Sequence, residues 1–235
     1  MKGVNMKTLY FECTSGISGD MTAAALLDLG ADEQVLRRAL ESLGLDGWHL
    51  RLSRTSKCGI DACDFDVHLE EEQEHVHDEH GHIHEHSHEH EHGQDHHHAH
   101  VHRNLADCLA ILEGGKLTPR RIFTVLAEAE SKAHGVPVEE VHFHEVGAVD
   151  SIIDIAAAAV CLDNLGADRL IFGNVREGRG TVWCQHGRMP VPVPATLNLL
   201  TGAAIPFSIC DTEGEMITPT GAAIMAALGE SFTPP

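Results

Sequence analysis

The chain has 235 residues, 43% of them hydrophobic and 4% aromatic, with a formal net charge of −20. That suffices for one large domain or two small ones, with a core built mainly from Ala, Leu, Ile and Val. Nucleic acid is excluded as an expected partner, because phosphate binding leans on a basic face that this composition lacks.

In chain order, TLYFEC (Thr8 to Cys13) reads as a short strand. SGISGD follows as a glycine-bearing turn into the amphipathic run MTAAALLDLG, which Gly30 closes as a C-cap would. A second helix from Asp32 to Leu43 repeats the device with Gly44. WHLRLSRT and the stretch from Ile60 to Glu70 alternate apolar and polar residues around SKCG, which predicts a β-hairpin. A slip of the apolar phase between Ala62 and Phe65 hints at a bulge.

Residues 70–102 then carry ten carboxylates and no Lys or Arg, and fourteen histidines fall between Glu74 and His102. The segment therefore supplies half of the net charge. High polarity without an apolar face predicts a flexible loop at about residues 71–103. A purification tag is a plain repeat at a chain end, whereas this run is internal and interleaved with Glu and Asp.

A helix is predicted from near Asn104, and Thr118-Pro119 opens another that runs to about His134. VPVEEVHFHEV reads as extended. An Ala-rich helix is expected from Ala148 to Leu165, ended by Gly166, then strands at Arg169 to Val175 and Gly180 to Cys184. HGRMPVPVPAT is a proline-stiffened loop into a short helix, Ala195 to Leu200, and TPTGAAIMAALG is one more capped helix. The expected class is α/β or α+β: a mixed sheet with flanking helices and a β-hairpin, as one domain over residues 1–235.

Seven cysteines without close C-x-x-C spacing argue against a disulfide framework or a zinc knuckle and fit a reducing cytoplasm. No stretch has the length or apolarity of a signal peptide or a bilayer span, and IIDIAAAAVCL is broken by Asp154. A soluble, cytoplasmic protein with no membrane partner is expected, and a homo-oligomer stays open. No Ser/His/Asp or Cys/His arrangement has a recognisable context, so nucleophilic catalysis is not expected.

HFHEVGAVDSIID is the most informative stretch outside the run. In an extended chain His142 and His144 point to one side, while Asp150 and Asp154 are one helical turn apart. With Glu145 they could make a mixed nitrogen and oxygen site for Ni, Zn or Mn. The plainer reading has the two His flanking a buried Phe143 and the carboxylates interacting with the following helix start. SGISGD (Ser18, Gly19, Asp20) and TPTGAA (Thr218, Thr220) place small polar residues before a helix, where an anion can be held. Ordinary capping by the same residues is the alternative. His186 and Arg188 lie in the proline-rich loop, a candidate pocket lining. Many overlapping His pairs in the run would gather a borderline metal such as nickel in weak, exchangeable sites.

SGISGDM, HFHEVGAVDSIIDI, GRGTVWCQHGRMPVPVPAT and ITPTGAA, in that order with a His-rich insertion, resemble the nickel insertion protein family of lactate racemase cofactor maturation. The resemblance runs over essentially the whole chain. It implies a nickel chelatase (cyclometallase) of the lyase class. Such an enzyme puts nickel into pyridinium-3,5-bisthiocarboxylic acid mononucleotide with carbon–nickel and sulfur–nickel bonds, using CTP with Mn or Mg.

It further implies that the chain, ending at SFTPP, is an N-terminal half whose C-terminal partner carries the CTP site, and that lactate racemase apoprotein receives the product. Under the resemblance, Ser18, Gly19, Asp20, His186, Thr218 and Thr220 are candidates for substrate binding. His142, His144, Glu145 and Asp150 are candidates for the metal end, with Asp150 or Asp154 orienting the imidazoles. His82, His84, His86, His88, His90, His96 and His98 would collect nickel. A nickel chaperone or storage protein without chemistry of its own is the alternative. A metal-dependent hydrolase is a weaker third reading.

Overall fold

The computed structural model describes residues 6–69, 103–111, 117–143, 149–184 and 186–233. The expected His-rich loop, with its candidate ligands His82 to His98, lies outside them, as do His144 and Glu145.

The first strand, β1 (Thr8–Glu12), pairs in parallel with β6 (Arg169–Gly173), in register from Thr8 with Arg169 to Glu12 with Gly173. Phe11 and Phe172 stack at 4.8 Å between ring centroids, which ties this ladder to the core. Beyond it, β7 (Arg176–Arg179) pairs in parallel with β10 (Ser208–Glu213). The chain leaving β1 crosses between the two ladders, since Cys13 donates its N–H to Gly173 and accepts from Arg176.

Helix α1 (Gly19–Asp28) is capped by the Ser18 hydroxyl and α2 (Glu33–Glu41) by Asp32, whose carboxylate accepts from Gln34 and Val35. Strands β2 (Trp48–Lys57) and β3 (Ile60–Leu69) form the predicted hairpin. Its turn residues Cys58 and Gly59 both have positive φ, 52° and 80°, the requirement of a two-residue type I′ turn. That turn sets one register from Trp48–Leu69 to Lys57–Ile60, so the expected bulge is absent. The phase slip at Ala62 to Phe65 is absorbed instead by half-exposed positions around the buried Phe65, on the strand that packs against α1.

Strand β4 (Arg103–Asn104) pairs antiparallel with β5 (His142–Phe143), so Arg103 belongs to a strand rather than to the loop. Between them run α3 (Leu105–Ile111) and α4 (Leu117–His134). The stretch expected to be wholly extended before His142 instead contains a 3-10 turn, Val138–Glu140, opened by Pro137. The Ala-rich α5 (Val149–Asn164) buries residues all round its circumference, Ile152, Ile153, Ile155, Ala157 and Cys161 among them. A helix apolar on every side belongs inside. Accordingly α1, α2, α4 and α7 (Pro219–Leu228) all pack on it. Each of its fully buried Ile side chains contributes about 1.5–3 kcal/mol of burial.

HGRMPVPVPAT departs from its expected loop: Gly187–Pro190 is a strand, β9, paired with β8 (Thr181–Cys184). The prolines fall at the strand's last residue and beyond it, where no ladder donor is needed. Pro194 then opens α6 (Pro194–Gly202). The architecture is thus α/β with parallel and antiparallel pairing, spread over small two-stranded ladders among the described residues. No described helix is long and apolar enough to cross a membrane.

Candidate functional site

Two loops far apart in sequence are brought together where α1 and α7 begin. Ile17 bridges Ile217 in parallel fashion: its N–H donates to Met216 at 3.0 Å, and its carbonyl accepts from Thr218 at 3.1 Å. At Gly221 a Cβ would stand 2.2 Å from the Ile17 carbonyl oxygen, so only glycine permits this approach. At Gly19 a Cβ would stand 2.7 Å from the Asp154 Cβ and 3.1 Å from the Thr220 hydroxyl. The glycines of SGISGD and TPTGAA are therefore needed for close contact between the two loops and α5.

The polar groups at this junction are largely satisfied by one another. Gly19 N–H donates to Thr220 Oγ1 at 3.2 Å, and the Thr220 and Thr218 hydroxyls lie 2.9 Å apart. Gly221 N–H donates to Thr218 Oγ1 at 3.3 Å and Met21 N–H to Ser18 Oγ at 3.4 Å. The Ser18 hydroxyl bonds the Asp20 carboxylate, and Asp20 gives its backbone N–H to Asp154. Ser18 and Thr218 thus act as caps, and the first-turn donors of α1 meet internal acceptors.

Asp154 sits beneath this arrangement on α5. Part of its surface remains accessible, yet burial pushes its carboxyl up to about 8. Repulsion from Asp20 and Asp150 adds to the rise, and the Asp20 N–H opposes it. Asp150, one turn earlier, is also raised by burial, against hydrogen bonds from the Ser151 N–H and from its own. A proton-binding carboxyl near neutral pH is suited to proton transfer. Among the described residues no group of three or more His, Cys, Asp or Glu is disposed to hold a metal ion.

Of the residues singled out by sequence, Ser18, Gly19, Asp20, Thr218 and Thr220 come together, with Asp150 and Asp154 on the adjoining helix. His142 lies on β5, its backbone paired with Asn104. His186 lies in the β8–β9 turn, its ring 5.0 Å from that of His134. Asp154 was legible as the acid that breaks the apolar stretch IIDIAAAAVCL, though as an orienter of imidazoles rather than as a buried acid.

Sequence reasoning missed Glu177. It is fully buried on β7, and Oε1 accepts from Gly178 and Met216 at 2.7 Å and from Ile217 at 3.3 Å. Burial raises its pKa, and those three N–H groups pull it back. Glu177 therefore fixes the backbone immediately before Thr218. No pattern in VREGRG could have announced it, because the acceptor faces backbone donors nearly forty residues away.

Fold and site together define an α/β protein with a shielded acid set where two helix starts converge. The chain belongs to the nickel insertion protein family, whose model matches residues 9–235. It is 52% identical over 233 residues to the pyridinium-3,5-bisthiocarboxylic acid mononucleotide nickel insertion protein of Alkaliphilus metalliredigens, covering 97% of this chain and 53% of that one. Proteins of the same name from Akkermansia muciniphila and Acetivibrio thermocellus are 45% and 39% identical, over 98% and 97% of this chain and 53% of each of theirs. The chain thus spans about half the length of these curated relatives. No solved structure matches it.

Proposed function

We propose that this chain is the N-terminal module of a nickel-inserting enzyme acting on pyridinium-3,5-bisthiocarboxylic acid mononucleotide, the compound in its relatives' names. The observation that carries this reading is the extent of the family match, which takes in both halves of the junction around Asp154. Placing nickel on a ring carbon replaces a C–H bond, so the nickel–carbon bond forms as a proton leaves. Asp154 is the group we assign to take that proton. A carboxyl with a pKa of about 8 is a stronger base than an ordinary one, and its ionised fraction, the form that takes the proton, grows as pH rises toward 8.

The Asp20 N–H would orient the Asp154 carboxylate. The Ser18, Thr218 and Thr220 hydroxyls are the groups we assign to the polar end of the mononucleotide, which would replace their present internal hydrogen bonds. His142 and His144 are assigned to nickel, with Glu145 and Asp150 as further candidates for the metal end, and the run around His82 to His98 to gathering it. CTP with Mn or Mg is assigned to a C-terminal half corresponding to the rest of the longer relatives. Lactate racemase apoprotein would be the recipient, and the cytoplasm the compartment.

The histidine run favours a second reading, a nickel chaperone without chemistry. The test combines the chain with a C-terminal half, the mononucleotide, CTP, Mn and limiting nickel. Metallated product is read by mass spectrometry, with and without residues 75–102. Product that survives the deletion once nickel is raised supports the scaffold as the site of chemistry. No product from the complete mixture leaves the chaperone.

A further inference from the structure

We propose that Glu12 is a specificity-determining residue that accepts the ribose hydroxyls of the mononucleotide, at the carboxyl end of the β1–β6 ladder. The inference rests on the mononucleotide reading above for the identity of the ligand. Glu12 is the last residue of β1, and the chain beyond it passes between the two parallel ladders before entering α1. In α/β folds ligands bind in the crevice outside the carboxyl ends of parallel strands, where neighbouring connections diverge.

Two donors fix the Glu12 carboxylate. The Tyr10 hydroxyl donates to Oε2 at 2.8 Å, and the Asn174 side-chain amide donates to Oε1 at 2.6 Å. Tyr10 stands two residues back on the same face of β1, while Asn174 follows the last residue of β6. Each is accommodated by a specific backbone feature. At Gly173 a Cβ would stand 2.5 Å from the Tyr10 hydroxyl, so glycine there leaves the space in which the phenol lies. Asn174 has φ of 51°, in the left-handed region that asparagine tolerates better than most residues.

This clamp prepares an acceptor. The Asn174 amide, and after it the Tyr10 hydroxyl, hold the Glu12 carboxyl below its ordinary pKa, so it is ionised near neutral pH. An ionised carboxylate donates nothing and offers about two lone-pair sites on each oxygen, so one on each remains after the clamp is made. Glu12 is exposed, and hydrogen bonds open to water exchange one partner for another at little net gain. What the clamp supplies is a fixed orientation for the remaining sites.

Vicinal hydroxyls match that arrangement, because they present two O–H donors side by side, and an acidic residue holds ribose in this way in other α/β nucleotide sites. An anionic group would be repelled by the same carboxylate. A metal ion would need further ligands, and among the described residues no group of three or more His, Cys, Asp or Glu is disposed to hold one. The connection that leaves Glu12 also carries Ser18, assigned above to the polar end of the mononucleotide. Gly16 N–H donates to the Cys13 carbonyl at 3.2 Å, which folds the connection into a turn, so Glu12 and Ser18 flank one bend.

The test is isothermal titration of the full chain with pyridinium-3,5-bisthiocarboxylic acid mononucleotide and with its 2′,3′-dideoxyribose counterpart. The parent is expected to bind the mononucleotide about 10–100-fold more tightly than the dideoxy compound, the range for hydrogen bonds to a charged group. Glu12→Ala should bind both compounds alike, at the weaker affinity, with an unchanged thermal transition showing that this exposed position leaves the fold intact. Equal binding of the two compounds by the parent, or discrimination retained in Glu12→Ala, overturns the assignment of Glu12 and leaves the mononucleotide reading standing. Binding of neither compound contradicts that reading and the inference with it.

Discussion

The backbone N–H of Gly19 donates to the hydroxyl of Thr220 over 3.2 Å, joining two helix starts 201 residues apart in sequence. A methyl group at Gly19 would enter the space held by Asp154 and that hydroxyl. Gly19→Ala is therefore expected to destabilise the chain by about 1–3 kcal/mol, the usual cost of overpacking. Denaturant unfolding followed by circular dichroism measures it, and an unchanged midpoint would mean that the two loops separate easily.

Asp154 predicts an unusual pH dependence. Its pKa in the folded chain, about 8, lies above the ordinary 3.8. The native state thus holds a proton through that interval which the unfolded chain has lost, so this group's contribution to stability falls as pH rises from about 4 to about 8. Asp154→Asn removes the penalty. It should be more stable than the parent at pH 8 by on the order of 1–3 kcal/mol, with the difference closing below about pH 4. Thermal melts across that range test the trend.

Glu177 should matter through the three backbone donors it satisfies. Glu177→Ala leaves them buried without an acceptor, at an expected cost of about 2–4 kcal/mol. Glu177→Gln keeps an acceptor and should cost less. Equal midpoints for the two variants would argue against the hydrogen bonds as the cause.

The hairpin turn offers a stabilising change. Cys58 has φ of 52°, a conformation that asparagine tolerates better than cysteine. Cys58→Asn makes the favoured Asn-Gly pair and is expected to gain about 0.5–1 kcal/mol in denaturant midpoint measurements.

Local devices were the most legible part of the sequence. The Ser18 and Thr218 caps, the helix start at Asp32, the hairpin turn around Cys58-Gly59 and the Ala-rich helix each follow from a few adjacent residues. What escaped depends on distant partners. The strand at Gly187–Pro190 was hidden by its prolines, because its pairing with Thr181–Cys184 is a tertiary fact. The short strands Arg176–Arg179 and Ser208–Glu213 were not read at all, for they pair with each other across an intervening hairpin and helix. At the site, the residue types were readable in SGISGD and TPTGAA, but not that the two segments touch. The elevation of Asp154 is a property of that contact, since it depends on burial and on Asp20.

The most direct test of the central claim, that Asp154 takes the proton released on metallation, is the rate of metallated mononucleotide formation by Asp154→Asn. It would be measured with a C-terminal half, CTP, Mn and saturating nickel. The account predicts a folded, more stable variant whose rate falls by about 10²–10⁴-fold, the range for loss of a general base. An unchanged rate would contradict it and leave the junction a structural joint.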